Sequence, residues 1–414
     1  MIAIGCIADD FTGGSDVAAA LRRSGLSVAL LFDVPDADTA IPAADAVVIA
    51  LKTRTVPAAE AVAESLAALA WLRAGDVERV YFKYCSTFDS TDEGNIGPVA
   101  DALLEALGES TTVICPASPE HGRTTYLGHL FVGDRLLSES PMRHHPLTPM
   151  TDPDLVRVLR RQTLGNVEAL PLTTIAEGSA AVTVALEAHA TAGVRHVVAD
   201  AVTDADLRTI AEGATDLRLL TGGAGLAGAL GAVVAGTTGT STPGGELPGG
   251  PAVVLAGSCS AATLAQVAAA ADVMPSYRLD AAGTPDPAEM LAAASEWLTA
   301  HLGESPVLVY SSAGPEERER ARAAMGPETP AILERTLAGL ARAAADHGAR
   351  RIVVAGGETS GAVVQALGVR SVLVDREADR GVPWCLTDQG LALLLKSGNF
   401  GSEDLLVRAA GADA

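Results

Sequence analysis

IAIGCIADDFTGGSDVAAALRRSGLSVALLF, residues 2–32, sets the grammar of the whole chain. Ile2 to Ala8 is a run of apolar and small residues with no polar break, as expected of a strand buried on both faces. After Asp9, Asp10, Gly13, Gly14 and a Ser15 cap, Val17 to Arg23 has helical spacing, and Leu26 to Phe32 is a second continuous apolar strand. Two such strands joined by a helix form the βαβ unit of a parallel sheet.

The same alternation runs outward from this unit. Ala46 to Leu51, Val80 to Tyr84, Thr112 to Cys115 and Val194 to Ala199 read as strands; Ala58 to Ala74, Val99 to Leu107, Asp154 to Arg161 and Ser179 to Ala192 read as helices. Gly236 to Gly250, GTTGTSTPGGELPGG, holds six Gly and two Pro with almost nothing to bury, and reads as a linker. Beyond it, strands are expected at Ala252 to Ala256, Val307 to Tyr310, Arg351 to Ala355 and Ser371 to Val374. Helices are expected at Ala261 to Ala271, Ala288 to Leu302, Ala331 to His347 and Gly361 to Leu367. The fold class is therefore α/β with two domains, residues 1–238 and 251–414 joined by 239–250. Each has a mainly parallel sheet flanked by helices, and the active site is expected in the interdomain cleft.

Composition narrows the function. The 414 residues carry a formal net charge of −22, which disfavours nucleic acid and anionic membrane as partners. Only three basic residues are lysines, Lys52, Lys83 and Lys396, a pattern that flags sites where a compact ammonium matters. Five scattered cysteines without a CxxC pair read as reduced thiols, and the first ten residues lack a signal peptide's basic region, so a cytoplasmic setting is expected. The uncharged stretch Leu219 to Gly245 reads as a buried helix followed by the linker, because its apolar part, Leu226 to Val234, is too short to span a bilayer.

Polar residues gather at strand ends. Strand 1 ends in Asp9 and Asp10, strand 3 in Lys52 and Arg54, and strand 4 in Lys83, Ser86, Thr87, Asp89 and Ser90. In parallel sheets the carboxyl ends of the strands form the ligand crevice. Neighbouring strands would thus build a site for a small polyhydroxylated anion, with an aspartate as acceptor or base and the cations on the carboxylate. Arg123 and His145, beside His121, Arg143 and His144, could bind an anion or belong to a surface loop; no HExxH or compact ligand spacing points to a metal. In the second domain, AGSCSAATL and AGGETSGAV each place a small-residue turn before a helix N-terminus, a geometry suited to phosphate. No GxxxxGK[ST] occurs, and the lone GxGxxG at Gly223, Gly225 and Gly228 reads as helix packing; a dinucleotide-dependent oxidoreductase is the reading it would otherwise support.

IADDFTGGSD, LKTRT, YFKYCSTFDST, GNIGPV, MRHHPLTPMTD, GSCS, VAGGETSG and LKSGNFG, in this order, resemble the four-carbon acid sugar kinase family. The resemblance implies an N-terminal acid-sugar domain and a C-terminal ATP domain, with phosphoryl transfer from Mg-ATP to the C4 hydroxyl of a 3-oxo-tetronate. A threonate or erythronate kinase of the same family is the alternative. It implies that Ser258, Gly357, Glu358, Thr359, Ser360, Gly361 and Gly401 contact ATP. It implies likewise that Asp9, Asp10, Arg54, Lys83, Ser86, Thr87 and Asp89 contact the sugar acid. We expect Asp10 to act as base with Asp89 as second choice, Lys83 and Lys396 to line the cleft from its two sides, and Mg2+ to enter with ATP. The sequence leaves open whether identical chains associate.

Overall fold

A computed structural model of the protein describes residues 2–145, 147–238, 246–303 and 305–411. It divides into two compact units, Met1–Thr242 and Pro243–Ala414. Of the expected linker, residues 239–245 lie outside the described residues.

In the first unit the continuous apolar runs become eight parallel strands: β1 (Ile2–Ala8), β2 (Val28–Phe32), β3 (Ala46–Ala50), β4 (Val77–Lys83), β5 (Thr112–Cys115), and, after a small hairpin sheet, three more. The hairpin sheet is antiparallel, β6 (Arg123–Tyr126), β7 (His129–Val132) and β8 (Arg135–Leu136). The last three are β9 (Asn166–Leu170), β10 (Val194–Ala199) and β11 (Leu219–Gly222), giving the order β2-β3-β1-β4-β11-β5-β10-β9. Every residue of β2, β3 and β5 is buried, which is why their sequences show no alternation. β1 lies between β3 and β4, so the chain moves to one side of β1 and then to the other, and their carboxyl ends form the crevice.

The helix after β1 starts at Phe11, six residues before the apolar run that announced it. Asp10 is its N-cap, its side chain accepting from the Gly13 N–H at 2.8 Å. Glycines usually weaken a helix by about 1 kcal/mol each, but here close packing requires them. A Cβ on Gly14 would stand 2.5 Å from the Ala50 β-carbon. The TGGAGLAG run is packing as well, since a Cβ on Gly222, Gly223 or Gly225 would meet the carbonyls of Cys115, Pro116 or Ala117 at 2.1–2.9 Å. The helix it opens, Ala224–Thr238, is too short to cross a membrane, as is every described apolar helix.

The second unit orders its strands β13-β14-β12-β15-β18-β17-β16, with β12 (Ala252–Ala256), β13 (Ser276–Arg278), β14 (Val307–Tyr310), β15 (Arg351–Ala355), β16 (Ser371–Asp379), β17 (Val382–Leu386) and β18 (Ala392–Lys396). The first five in that order are parallel, and β18, β17 and β16 form an antiparallel meander. The meander and the helix Pro315–Met325 were not expected. That helix buries no residue, so no apolar periodicity marks it.

Candidate functional site

The turns after β1, β3 and β4 place their polar groups side by side. Asp9 donates its backbone N–H to the Lys83 carbonyl and accepts from the N–H groups of Thr53 and Arg54, so the three turns are tied together through main chain. Asn95 fixes the turn after β3, its amide donating to the carbonyls of Thr53, Arg54 and Val56. Arg54 then faces both aspartates: Nε donates to Asp9 Oδ2 at 2.9 Å, while Nη2 donates to Asp9 Oδ1 at 2.7 Å and to Asp10 Oδ1 at 2.6 Å. This fork-to-carboxylate geometry is what a planar guanidinium supplies and an ammonium does not. Burial works against the Arg54 charge, but Asp10 and Asp9 outweigh it and hold the guanidinium well above its ordinary range.

Asp10 Oδ1 is committed to the helix cap and to Arg54, and Oδ2 accepts no hydrogen bond among the described residues. Lys83 is buried, donating to the Tyr84 carbonyl at 3.0 Å, and a Cβ on Gly13 would lie 3.1 Å from its Nζ. Gly13 therefore lets the ammonium reach the first turn of the helix. In the turn after β4, Thr87 donates to Asp89 Oδ1 at 2.6 Å, Phe88 takes a left-handed φ of 53°, and Ser86 is half-buried beside them. Burial pushes the Cys85 thiol up to about 12, so it stays protonated and is no nucleophile at neutral pH.

Two expected contributors sit in settings of their own. His145 Nδ1 faces the N–H and hydroxyl of Thr148, within its own loop. Arg123 donates to the His121 carbonyl, and its buried Nε has no partner among the described residues. Asp16 was missed by the sequence reading although it closes the IADDFTGGSD motif. Its Oδ1 is buried without a hydrogen bond, and burial pushes its carboxyl up while Lys83 and His121 pull it down. Lys52 lies 4.7 Å over the Phe11 ring.

In the second unit three loops meet. A Cβ on Gly257 would stand 2.2 Å from Thr359 Oγ1, and one on Gly398 would stand 2.3 Å from Ser258 Oγ, so the GSCS, GGETSG and SGNFG turns touch through glycines. Gly356, with φ 135°, precedes the helix Gly357–Leu367, which no side chain caps. Ser360 Oγ is buried there without a partner. Uncapped N–H groups at a helix start and an unsatisfied hydroxyl fit a phosphate group. Gly401, φ 85°, lies in the third loop, held by the Gln266 amide donating to the Phe400, Gly401 and Ser402 carbonyls.

Lys396 does not line a crevice. It is fully buried, and Nζ donates to Thr263 Oγ1 at 2.9 Å, Gln266 Oε1 at 2.7 Å and the Gly398 carbonyl at 3.2 Å, tying the third loop to the helix Ala261–Ala271. Burial pulls its pKa from 10.5 down to about 8. The unfolded chain thus binds this proton more tightly than the folded one, and folding gains as pH rises from about 8 to 10.5. Denaturant titrations should show the stability of the wild type rising relative to Lys396→Met over that interval. A constant difference would refute the shift.

Comparison with known proteins agrees with this division of labour. A family described as a sugar-binding N-terminal domain matches residues 4–230, and one described as a nucleotide-binding C-terminal domain matches residues 253–406. The 3-oxo-tetronate kinase of Burkholderia multivorans is 49% identical over 98% of this chain and 96% of its own. That of Cupriavidus necator is 49% identical over 97% and 95%. A solved structure from Salmonella typhimurium LT2 superposes with a TM-score of 0.91 at 42% identity, covering 99% of each chain.

Proposed function

The chain belongs to the four-carbon acid sugar kinase family, and on that premise we propose that it transfers the γ-phosphoryl group of ATP to the C4 hydroxyl of 3-oxo-tetronate. The observation that carries the substrate side is the Arg54 fork on Asp9 and Asp10 beside Lys83, at the carboxyl ends of three adjacent parallel strands. Such a site offers cations to the substrate carboxylate or the migrating phosphoryl and carboxylates to its hydroxyls.

Phosphoryl transfer depends on positioning and charge neutralisation more than on covalent chemistry. The 356–361 turn holds the phosphates through helix N–H groups and Ser360, with Ser258 and Gly401 on the adjoining loops. Mg2+ would be held mainly by the ATP phosphates, where it would supply neutralisation of the charge that develops during transfer. Asp10 Oδ2 accepts the C4 hydroxyl proton; Asp89, engaged by Thr87, is the second candidate, with Ser86, Thr87, Arg123 and His145 as further substrate contacts.

Asn caps helices about as well as Asp, so Asp10→Asn should fold normally and lose about 10²–10⁴-fold in kcat, the range of general-base catalysis. Near-normal turnover at saturating ATP and substrate would remove Asp10 from that role. The substrate is tested by ADP release with Mg-ATP across threonate, erythronate and their 3-oxo forms. The 3-oxo acids should give the highest kcat/KM; preference for threonate or erythronate would reassign it.

A further inference from the structure

Lys83 is buried at the end of β4, and the one hydrogen bond its Nζ makes among the described residues is to the Tyr84 carbonyl, an uncharged group. A buried ammonium is costly unless a carboxylate answers it. Both oxygens of Asp9 and Oδ1 of Asp10 accept from Arg54, so these two carboxylates are drawn to the guanidinium. Asp16 is the third carboxylate of IADDFTGGSD. We propose that Asp16 is a positioning residue for phosphoryl transfer, holding the Lys83 ammonium against the first turn of the helix Phe11–Arg23, next to Asp10. The proposal rests on the reading of the β1, β3 and β4 ends as the sugar-acid site.

Three observations support it. Helical spacing places Asp16 one turn beyond Gly13 on the same face. A Cβ on Gly13 would meet both Asp10 Oδ1 and, at 3.1 Å, Lys83 Nζ, so the ammonium sits over the face that carries Asp16. Electrostatics agree with this placement: burial pushes the Asp16 carboxyl up, and among the charges acting on it Lys83 of β4 pulls it down most. His121 and Arg23 pull the same way and Glu120 opposes them. Arg23 meets Glu120 at 3.2 Å and His121 Nδ1 meets the Ser118 hydroxyl at 3.0 Å, so these neighbours have partners of their own. Lastly, local structure gives no reason for an acid at this position. Aspartate favours helix caps over interiors, the cap here is Asp10, and Val17 to Leu21 are all buried and apolar. Asp16 Oδ1 is buried without a hydrogen bond among the described residues, a cost to folding of the kind that functional sites retain.

Asp16→Asn keeps the shape of the side chain and removes its charge. Asp16→Ser removes the charge with a smaller group and carries the test if the amide variant fails to fold. In steady-state assays with Mg-ATP and 3-oxo-tetronate, the folded variant should lose about tenfold or more in kcat with KM for ATP unchanged. A double-mutant cycle with Lys83→Met separates positioning from packing, because residues that act through one another are not additive. In the Lys83→Met background the same change at Asp16 should alter kcat by about twofold or less. Unchanged kcat in the folded single variant, or the same fold loss in both backgrounds, would overturn the proposal. Arg54→Lys tests the site reading separately: if it and Lys83→Met both keep wild-type kcat/KM, the sugar-acid site lies elsewhere. Losses in those two with an unaltered Asp16→Asn would remove Asp16 alone.

Discussion

Arg54→Lys should lower kcat/KM for the sugar acid by about 10²–10³-fold while leaving a folded protein. Arginine makes three charge-assisted hydrogen bonds here, to both oxygens of Asp9 and to Asp10 Oδ1. A lysine ammonium is a point donor that cannot span two carboxylates, so two of the three are lost. Hydrogen bonds to charged groups contribute roughly 1.5–3 kcal/mol each. The Arg54 side chain is 22% exposed, so water replaces part of the loss, leaving about 3–4 kcal/mol. That loss is one of stability, because these bonds exist before substrate binds. Activity falls by the stated range because the released Asp10 carboxylate shifts, and a misplacement of about 1 Å can cost about 10²-fold. Steady-state kinetics with saturating ATP, alongside a thermal melt, would check both; a variant with unaltered kcat/KM would exclude Arg54 from the substrate site.

Gly356→Ala should weaken nucleotide binding at least tenfold and lower the melting temperature by several degrees. The φ of 135° lies outside what an L-residue adopts without strain of order 1–3 kcal/mol. The added Cβ would also stand 2.9 Å from Thr359 Oγ1 and 3.1 Å from the Ser258 backbone nitrogen. Relief requires either the helix start or the GSCS turn to move, and both belong to the phosphate-facing surface. Gly249→Ala is the control, since its φ is not positive and a Cβ there meets nothing within 4 Å. Equal nucleotide affinity in the two variants would show that the turn does not bind phosphate.

The parts of the site most legible in the sequence were those carried by short-range rules. Asp9, Asp10, Arg54 and Lys83 end strands whose apolar runs are unmistakable, and a parallel sheet sends such ends to one edge. The helix at Phe11 was read as starting too late because its first turn contains two glycines. Their presence is explained by Ala50 and Lys83, which come from elsewhere in the chain.

Lys396 separates the two kinds of information. Lysine's rarity drew attention to it, and its place beside SGNFG suggested a ligand contact. Three acceptors from Thr263, Gln266 and Gly398 make it a buried tie instead. The sequence by itself determined the α/β alternation, the two-part family resemblance and the polar strand ends, because strand burial and helix spacing are periodic along the chain. Only the tertiary structure decided that Arg54 forks onto two aspartates and that Lys396 is structural. Those outcomes depend on distances between residues far apart in sequence, which no local pattern encodes.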